Sequence, residues 1–215
     1  AYTSFGSFNL FYNKANPVFD IQLTSRFNRV QNLQLDGIIR NGFNIQSMRT
    51  RYSFKKHFDF IINGSIGNKN YSAELYPTKA YDFSFYKLEN EWKFRFSRKT
   101  GLQFNYAFTK KTNRQGQNEQ LTGTSVGMKL NMRSFYDFNI SSGLVYSKYN
   151  YSGVENTSIE LAMLEGLKNG NNFLWTINLT RKLSNNVDVI LKYEGRKTGV
   201  FKTIHIGSMQ ARARF

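Results

Sequence analysis

The chain has 215 residues, no cysteine, two prolines and 30 Lys and Arg against 14 Asp and Glu, which gives a formal net charge of +16. The length fits one domain, and the lack of cysteine excludes disulfides and thiolate metal sites. No run of about 18 apolar residues occurs, which excludes a transmembrane helix. Aromatic residues nevertheless reach 16% of the chain while the mean hydropathy is negative. Apolar residues on alternate positions explain this combination.

Alternation of apolar and polar residues, the pattern of a half-buried β-strand, begins at the N-terminus. It predicts a first hairpin with strands at 5–13 and 18–30, followed by a looser connection at 32–42. Nine further strands are predicted at about 48–54, 58–66, 81–96, 102–108, 126–133, 138–146, 173–183, 187–196 and 204–215.

Two stretches depart from this alternation of apolar and polar residues. In 81–96 the aromatic residues change parity between Phe85 and Leu88, which predicts a β-bulge near Tyr86 to Leu88. Residues 151–172 are predicted to form one long loop with some structure of its own, either a short helix or a strand edge around Ile159.

The connections alternate in length. Short turns are predicted at 13–17, 55–57, 97–101, 134–137 and 184–186, and the connections between them are mostly long and polar, as at 67–79 and 110–120. Short periplasmic turns opposite longer extracellular loops are typical of outer-membrane barrels. The sequence therefore predicts an all-β fold, an antiparallel up-and-down transmembrane β-barrel in the outer membrane of a Gram-negative bacterium.

The predicted number of strands is about eleven, whereas bacterial single-chain barrels have an even number. We therefore expect 12 or more strands in the full chain, with one or more strands before Ala1; a different division of 151–172 is the other possibility. Residues 1–215 are accordingly one barrel domain, alone or as the C-terminal part of a longer chain.

The end of the chain resembles the C-terminal barrel region of outer-membrane proteins from Bacteroidota. The resemblance rests on LEGLKNGNNFLW at 164–175, TRKLS at 180–184, YEGRK at 193–197, HIG at 205–207 and ARF at 213–215. It implies a barrel fold and an outer-membrane location, and it implies that the terminal aromatic Phe215 is the signal read by the barrel-assembly machinery. It implies no activity.

Basic residues fall largely on the parity opposite the apolar one. If that face lines the lumen, it has a positive potential that attracts anionic solutes or acidic segments; alternatively, Glu89, Glu91, Asp188 and Glu194 neutralise it in a filled interior. Lys and Arg in predicted turns and loops, Lys110 and Lys111 among them, are expected near lipid headgroups and lipopolysaccharide phosphates. The candidate lumen-facing charges are Lys93, Arg95, Lys129, Arg133, Lys192, Glu194, Arg196, Arg212 and Arg214.

Aromatic residues near the strand ends fit the girdles that barrels place at the membrane interfaces; packing against a partner chain is the alternative for Trp92 and Trp175. The predicted interfacial aromatics are Trp92, Tyr106, Tyr146, Trp175 and Tyr193.

The predicted function is non-enzymatic: passage of solutes or polypeptide in a porin-like manner, or a structural subunit of an outer-membrane assembly with other outer-membrane or periplasmic proteins. An outer-membrane esterase or protease is the alternative, but Ser208 lies on the strand face opposite His205, and His57 belongs to the other end of the barrel. No metal site and no cofactor is predicted. Nucleic-acid binding is a remote alternative, because the aromatic and basic residues lie on opposite faces.

Overall fold

The computed structural model describes residues 1–34, 37–55, 57–115, 118–133, 138–184 and 186–213. Within these ranges it contains eleven strands, a seven-residue α-helix, α1 (Ser158–Leu164), and a 3₁₀ turn at Pro77–Lys79. The strands are β1 (Tyr2–Tyr12), β2 (Phe19–Gln34), β3 (Gly37–Phe54), β4 (Phe58–Ala73), β5 (Tyr81–Arg95), β6 (Thr100–Asn113), β7 (Gln120–Arg133), β8 (Phe138–Ser152), β9 (Gly170–Ser184), β10 (Val187–Thr198) and β11 (Ile204–Ala213).

All eleven described strands form one sheet in chain order, and each pairs antiparallel with the next. The predicted all-β, up-and-down fold is therefore confirmed, as is the number of strands. In the described part of the chain the sheet is open, with β1 and β11 at its two edges. Arg214 and Phe215 lie outside the described residues, as does the predicted turn at 134–137.

The sheet is strongly curved around α1. Side chains from β2, β3, β4, β5, β6 and β8 line one cavity together with residues of α1, so strands far apart in the sheet face one another. We call the face that carries α1 the inner face and the opposite face the outer face. Because side chains alternate along a strand, the pairing register assigns every described strand residue to one of them.

The predicted bulge near Tyr86 to Leu88 is wrong. The register of β5 with β4 and with β6 runs without a shift from one end of the strand to the other. The parity changes because Phe83 and Phe85 face inward and pack at α1, whereas Leu88, Trp92 and Phe94 face outward. A register shift occurs instead between β9 and β10, beside Val187 and Asp188.

The predicted loose connection at 32–42 is also wrong, since β2 continues to Gln34 and β3 already begins at Gly37. The polar loops predicted at 67–79 and 110–120 are shorter than expected for the same reason: β4 continues to Ala73 and β6 to Asn113. Polar residues on both faces of a strand conceal it from a search for alternation. The strands thus continue past the segments whose alternation made them predictable from the sequence.

Helix α1 forms in the connection between β8 and β9, where the sequence leaves a short helix open. Thr157 caps its N-terminus by accepting a hydrogen bond from the backbone N–H of Glu160 at 3.3 Å, and the Glu160 carboxylate accepts one from the N–H of Asn156. This is a variant of the capping box. Packing provides the rest of its stability, because Ile159, Met163 and Leu164 are buried against Phe83, Leu121 and Tyr151.

Candidate functional site

The outer face carries an exposed apolar band. On β4 it comprises Phe58, Phe60, Ile62, Gly64 and Ile66 and ends at Asn68 and Asn70. Exposed fractions of 51% for Val126, 46% for Ile177 and 42% for Met128 show that these side chains are not covered by protein. Contiguous apolar surface of this extent marks a contact with another apolar phase or with a partner.

All five predicted interfacial aromatics lie on the outer face. Trp92 stacks on Phe60 with 5.9 Å between ring centroids, and Tyr146 packs against Phe173 at 4.8 Å. Trp175 and Tyr193 both contact the ring of His205. Their position at a membrane interface stays a prediction.

His205 does not meet a nucleophile on its own strand. Its Nδ1 lies 2.7 Å from the Tyr193 hydroxyl on the outer face, and the register places Ser208 on the inner face, opposite Lys192.

Among the described residues no group of three or more His, Asp and Glu side chains could hold a metal ion. None of the described helices is long and apolar enough to cross a membrane.

The register places every described member of the predicted charged set on the inner face. These residues are Lys93, Arg95, Lys129, Arg133, Lys192, Glu194, Arg196 and Arg212. Some of the charges are paired: Lys93 lies 3.1 Å from Glu91, as predicted, and Arg95 forms an ion pair with the buried Asp59.

A cavity of about 310 Å³ lies on the inner face beneath α1. Phe83, Phe85, Met163 and Leu164 form an apolar part of its wall. The charged residues that line it are Arg26, Lys69, Lys87, Lys111, Glu89 and Glu165. Four basic groups against two carboxylates leave two positive charges in excess.

Lys111 is the group that joins α1 to the sheet. Its ammonium donates hydrogen bonds to the carbonyl oxygen of Met163 at 2.6 Å and to Oε1 of Glu165 at 2.7 Å, and its side chain is only 7% exposed. The expectation that Lys111 lies near lipid headgroups is therefore wrong. It faces inward, whereas its neighbour Lys110 faces outward and is exposed.

Glu165 ends α1 in a left-handed backbone conformation, with φ 54° and ψ 39°. This region costs little for glycine and more for other residues. Burial acts to raise the pKa of the Glu165 carboxyl, but the hydrogen bond from Lys111 and the positive charges of Lys111, Lys69 and Lys87 outweigh it. The pKa therefore lies below its usual value, and Glu165 is ionised at neutral pH.

A second inner cavity, of about 320 Å³, adjoins the first. The two share Asn63 and Glu89, whose side chains are joined by a 3.1 Å hydrogen bond from Nδ2 to Oε2. A third cavity, of about 400 Å³, lies at the end of the sheet with the short turns and is lined by Arg95, Arg98, Lys99 and Arg133 together with polar residues.

Lys111 and Glu165 are not among the site residues that the sequence predicted. The available signal was Thr157 followed three positions later by Glu160, which predicts a helix start ahead of the apolar residues Ile159, Met163 and Leu164. No sequence pattern indicated that this helix lies against Lys111.

Comparison with protein-family models gives no match, and comparison with curated proteins gives none. Among solved structures the chain is similar to the β domain of the Bordetella autotransporter BrkA. The TM-score is 0.40 and the sequence identity 9%, over 99% of this chain and 97% of that one. At this degree of likeness nothing about activity is transferred.

Proposed function

We propose that this protein is an integral outer-membrane β-barrel protein of a Gram-negative bacterium that passes small anionic solutes through an interior narrowed by α1. One observation carries the proposal: the same strands present an exposed apolar outer band and a charged, hydrogen-bonding inner face. In water such an apolar surface would promote aggregation. In a bilayer it would contact the apolar acyl chains of the lipids, which is favourable.

The inner face supports passage of anions. Inner Lys and Arg residues extend from the cavity beneath α1 to the cavity at the short turns. Basic groups lining a low-dielectric interior raise the local concentration of anions. The outer face would contact lipids and lipopolysaccharide, and the C-terminal strand would be recognised by the barrel-assembly machinery.

Conductance of the purified protein in planar bilayers tests the proposal. We expect anion-selective channels whose selectivity falls when Lys192 on the inner face is replaced, Lys192→Glu. The matched control is Lys197→Glu on the same strand, which by register faces outward opposite Phe173 and should leave selectivity unchanged. A folded, bilayer-inserted protein without conductance would contradict passage.

A second candidate function, a structural subunit of an outer-membrane assembly, is supported by the edge strand β11, on which every described residue is exposed. Unpaired strand edges are sites for pairing with another segment. This candidate predicts co-purification with fixed outer-membrane or periplasmic partners in mild detergent, and a lone monodisperse barrel would exclude it.

A further inference from the structure

We infer that the cavity beneath α1 is a binding site for a small organic anion with an apolar body, such as an aromatic carboxylate. The inference deepens the proposed function, on which it rests, because it names the class of solute that the interior selects. It is carried by the combination of an apolar wall, an excess of positive charge and one basic side chain without a partner.

The apolar wall comes from β5 and α1. Phe83 is 1% exposed and Met163 is also 1% exposed, and Phe85 packs against the same cluster. These side chains form the region where α1 meets the sheet, so the wall is held by the packing of the helix. Phe83 and Met163 are already buried, but Phe85 and Tyr149 also line the cavity and are only half-buried. An apolar ligand body placed against these two rings would remove their remaining apolar surface from water, which favours binding.

The cavity wall also carries basic groups beside these rings, and they are only partly neutralised. Glu165 binds Lys111 at 2.7 Å and lies 3.8 Å from Lys69, and Glu89 binds Lys87 at 2.6 Å. Two carboxylates thus form ion pairs with three lysines. Their arrangement leaves the electrostatic potential of the cavity positive, which favours an anion over a neutral ligand of the same shape.

Arg26 is the group best placed to bind the anion itself. Its side chain lines the cavity from β2, and among the described residues it has no hydrogen-bond or ion-pair partner. A guanidinium matches a carboxylate with two parallel hydrogen bonds. Because Arg26 is exposed, the ligand would reach it from the open interior without displacement of α1.

The size of the cavity limits the ligand. A volume of about 310 Å³ lies at the lower end of small-molecule sites, which span roughly 300–1,000 Å³. A single or fused aromatic ring with one carboxylate fits this volume, whereas a polypeptide or a lipid does not.

Isothermal titration of the detergent-solubilised, folded protein tests the site with three probes: 2-naphthoate, 2-naphthalenemethanol and acetate. We expect 2-naphthoate to bind at least about tenfold more tightly than either other probe, since each lacks one of the two required features. Equal binding of acetate and 2-naphthoate would overturn the inference, because diffuse charge would then explain it. Equal binding of the neutral alcohol would overturn it as well.

Two variants separate the site from general effects of charge. Arg26→Gln should weaken binding of 2-naphthoate by about tenfold, the usual consequence of losing one hydrogen bond to a charged group. Arg29→Gln, on the outer face of the same strand, should leave it unchanged. Equal effects of the two variants would overturn the inference.

Conductance measured on the same preparations distinguishes this inference from the proposed function. Anion-selective channels without naphthoate binding would overturn the site and leave passage standing. Naphthoate binding that depends on Arg26 in a protein without conductance would support the site and overturn passage.

Discussion

Lys111 and Glu165 lie 54 residues apart in the sequence and are joined by a 2.7 Å hydrogen bond across the interior of the sheet. The bond connects β6 to the residue that ends α1. Since Lys111 also donates to the Met163 carbonyl oxygen, a single ammonium group satisfies both a backbone acceptor and a carboxylate at the C-terminal end of this helix. Helix C-termini are stabilised by such cations.

Replacing Lys111 should therefore loosen α1. We expect Lys111→Met to lower the free energy of unfolding by about 1–3 kcal/mol, because the Met163 carbonyl oxygen loses its side-chain donor. The control is Lys110→Met on the outer face, which should change stability by less than about 0.5 kcal/mol. Urea titration of both variants provides the measurement, and equal values would show that Lys111 does not anchor the helix.

Two substitutions at Glu165 separate backbone strain from charge. Glu165→Ala keeps a Cβ in the left-handed region and loses the interaction with Lys111, whereas Glu165→Gly loses the same interaction but removes the strain. We expect urea titration to show the Gly variant to be about 1 kcal/mol more stable than the Ala variant. An Ala variant as stable as the Gly variant would show that the conformation at this position stores no strain.

The lowered pKa of Glu165 predicts a dependence of stability on pH. Because the folded protein holds this carboxyl below the pKa of the unfolded chain, its stabilising contribution is complete above that ordinary value, 4.5, and is lost as the pH falls through the lowered value. The thermal midpoint of the wild type should therefore exceed that of Glu165→Gln at neutral pH. The difference should shrink only at acidic pH; a constant difference down to about pH 3 would contradict the shift.

Neighbouring positions on β9 test the assignment of the two faces. Ile177→Arg places a charge within the outer band and should cost about 2–4 kcal/mol for the protein folded in a bilayer. Thr176→Arg faces inward opposite Glu194 and should cost far less, since the new charge has a carboxylate across the strand. Denaturant titration in lipid vesicles measures the free energy of unfolding of the two variants. A larger loss for Thr176→Arg than for Ile177→Arg would show that the two faces are assigned the wrong way round.

Glycine positions on the two faces should differ in their tolerance of a methyl group. A Cβ on Gly123 would clash with Cδ1 of Tyr149, a ring that packs against the cluster around α1, whereas a Cβ on Gly64 would meet nothing within 4 Å. Gly123→Ala should therefore destabilise the protein by about 1–3 kcal/mol. Gly64→Ala should be neutral or slightly stabilising, and thermal unfolding of the two variants measures the contrast.

The architecture follows from local patterns in the sequence. Alternation is a local property, because neighbouring side chains of a strand point to opposite faces wherever the strand lies. Eleven strands, their order and the face of residues such as Trp92, Lys93 and Arg212 could therefore be predicted. The strand ends next to the longer connections could not be predicted. Residues such as those at 67–73 are polar on both faces and carry no alternating signal.

The contents of the interior, by contrast, depend on how distant parts of the chain pack together. Phe83 and Phe85 lie on the inner parity of β5, and the sequence suggested a bulge there because nothing local indicates that an apolar helix covers them. Lys111 was expected near lipid headgroups for the same reason. Curvature of the sheet brings β2, β6 and the connection between β8 and β9 to one cavity. That proximity depends on contacts between residues far apart in the chain, which no spacing pattern encodes.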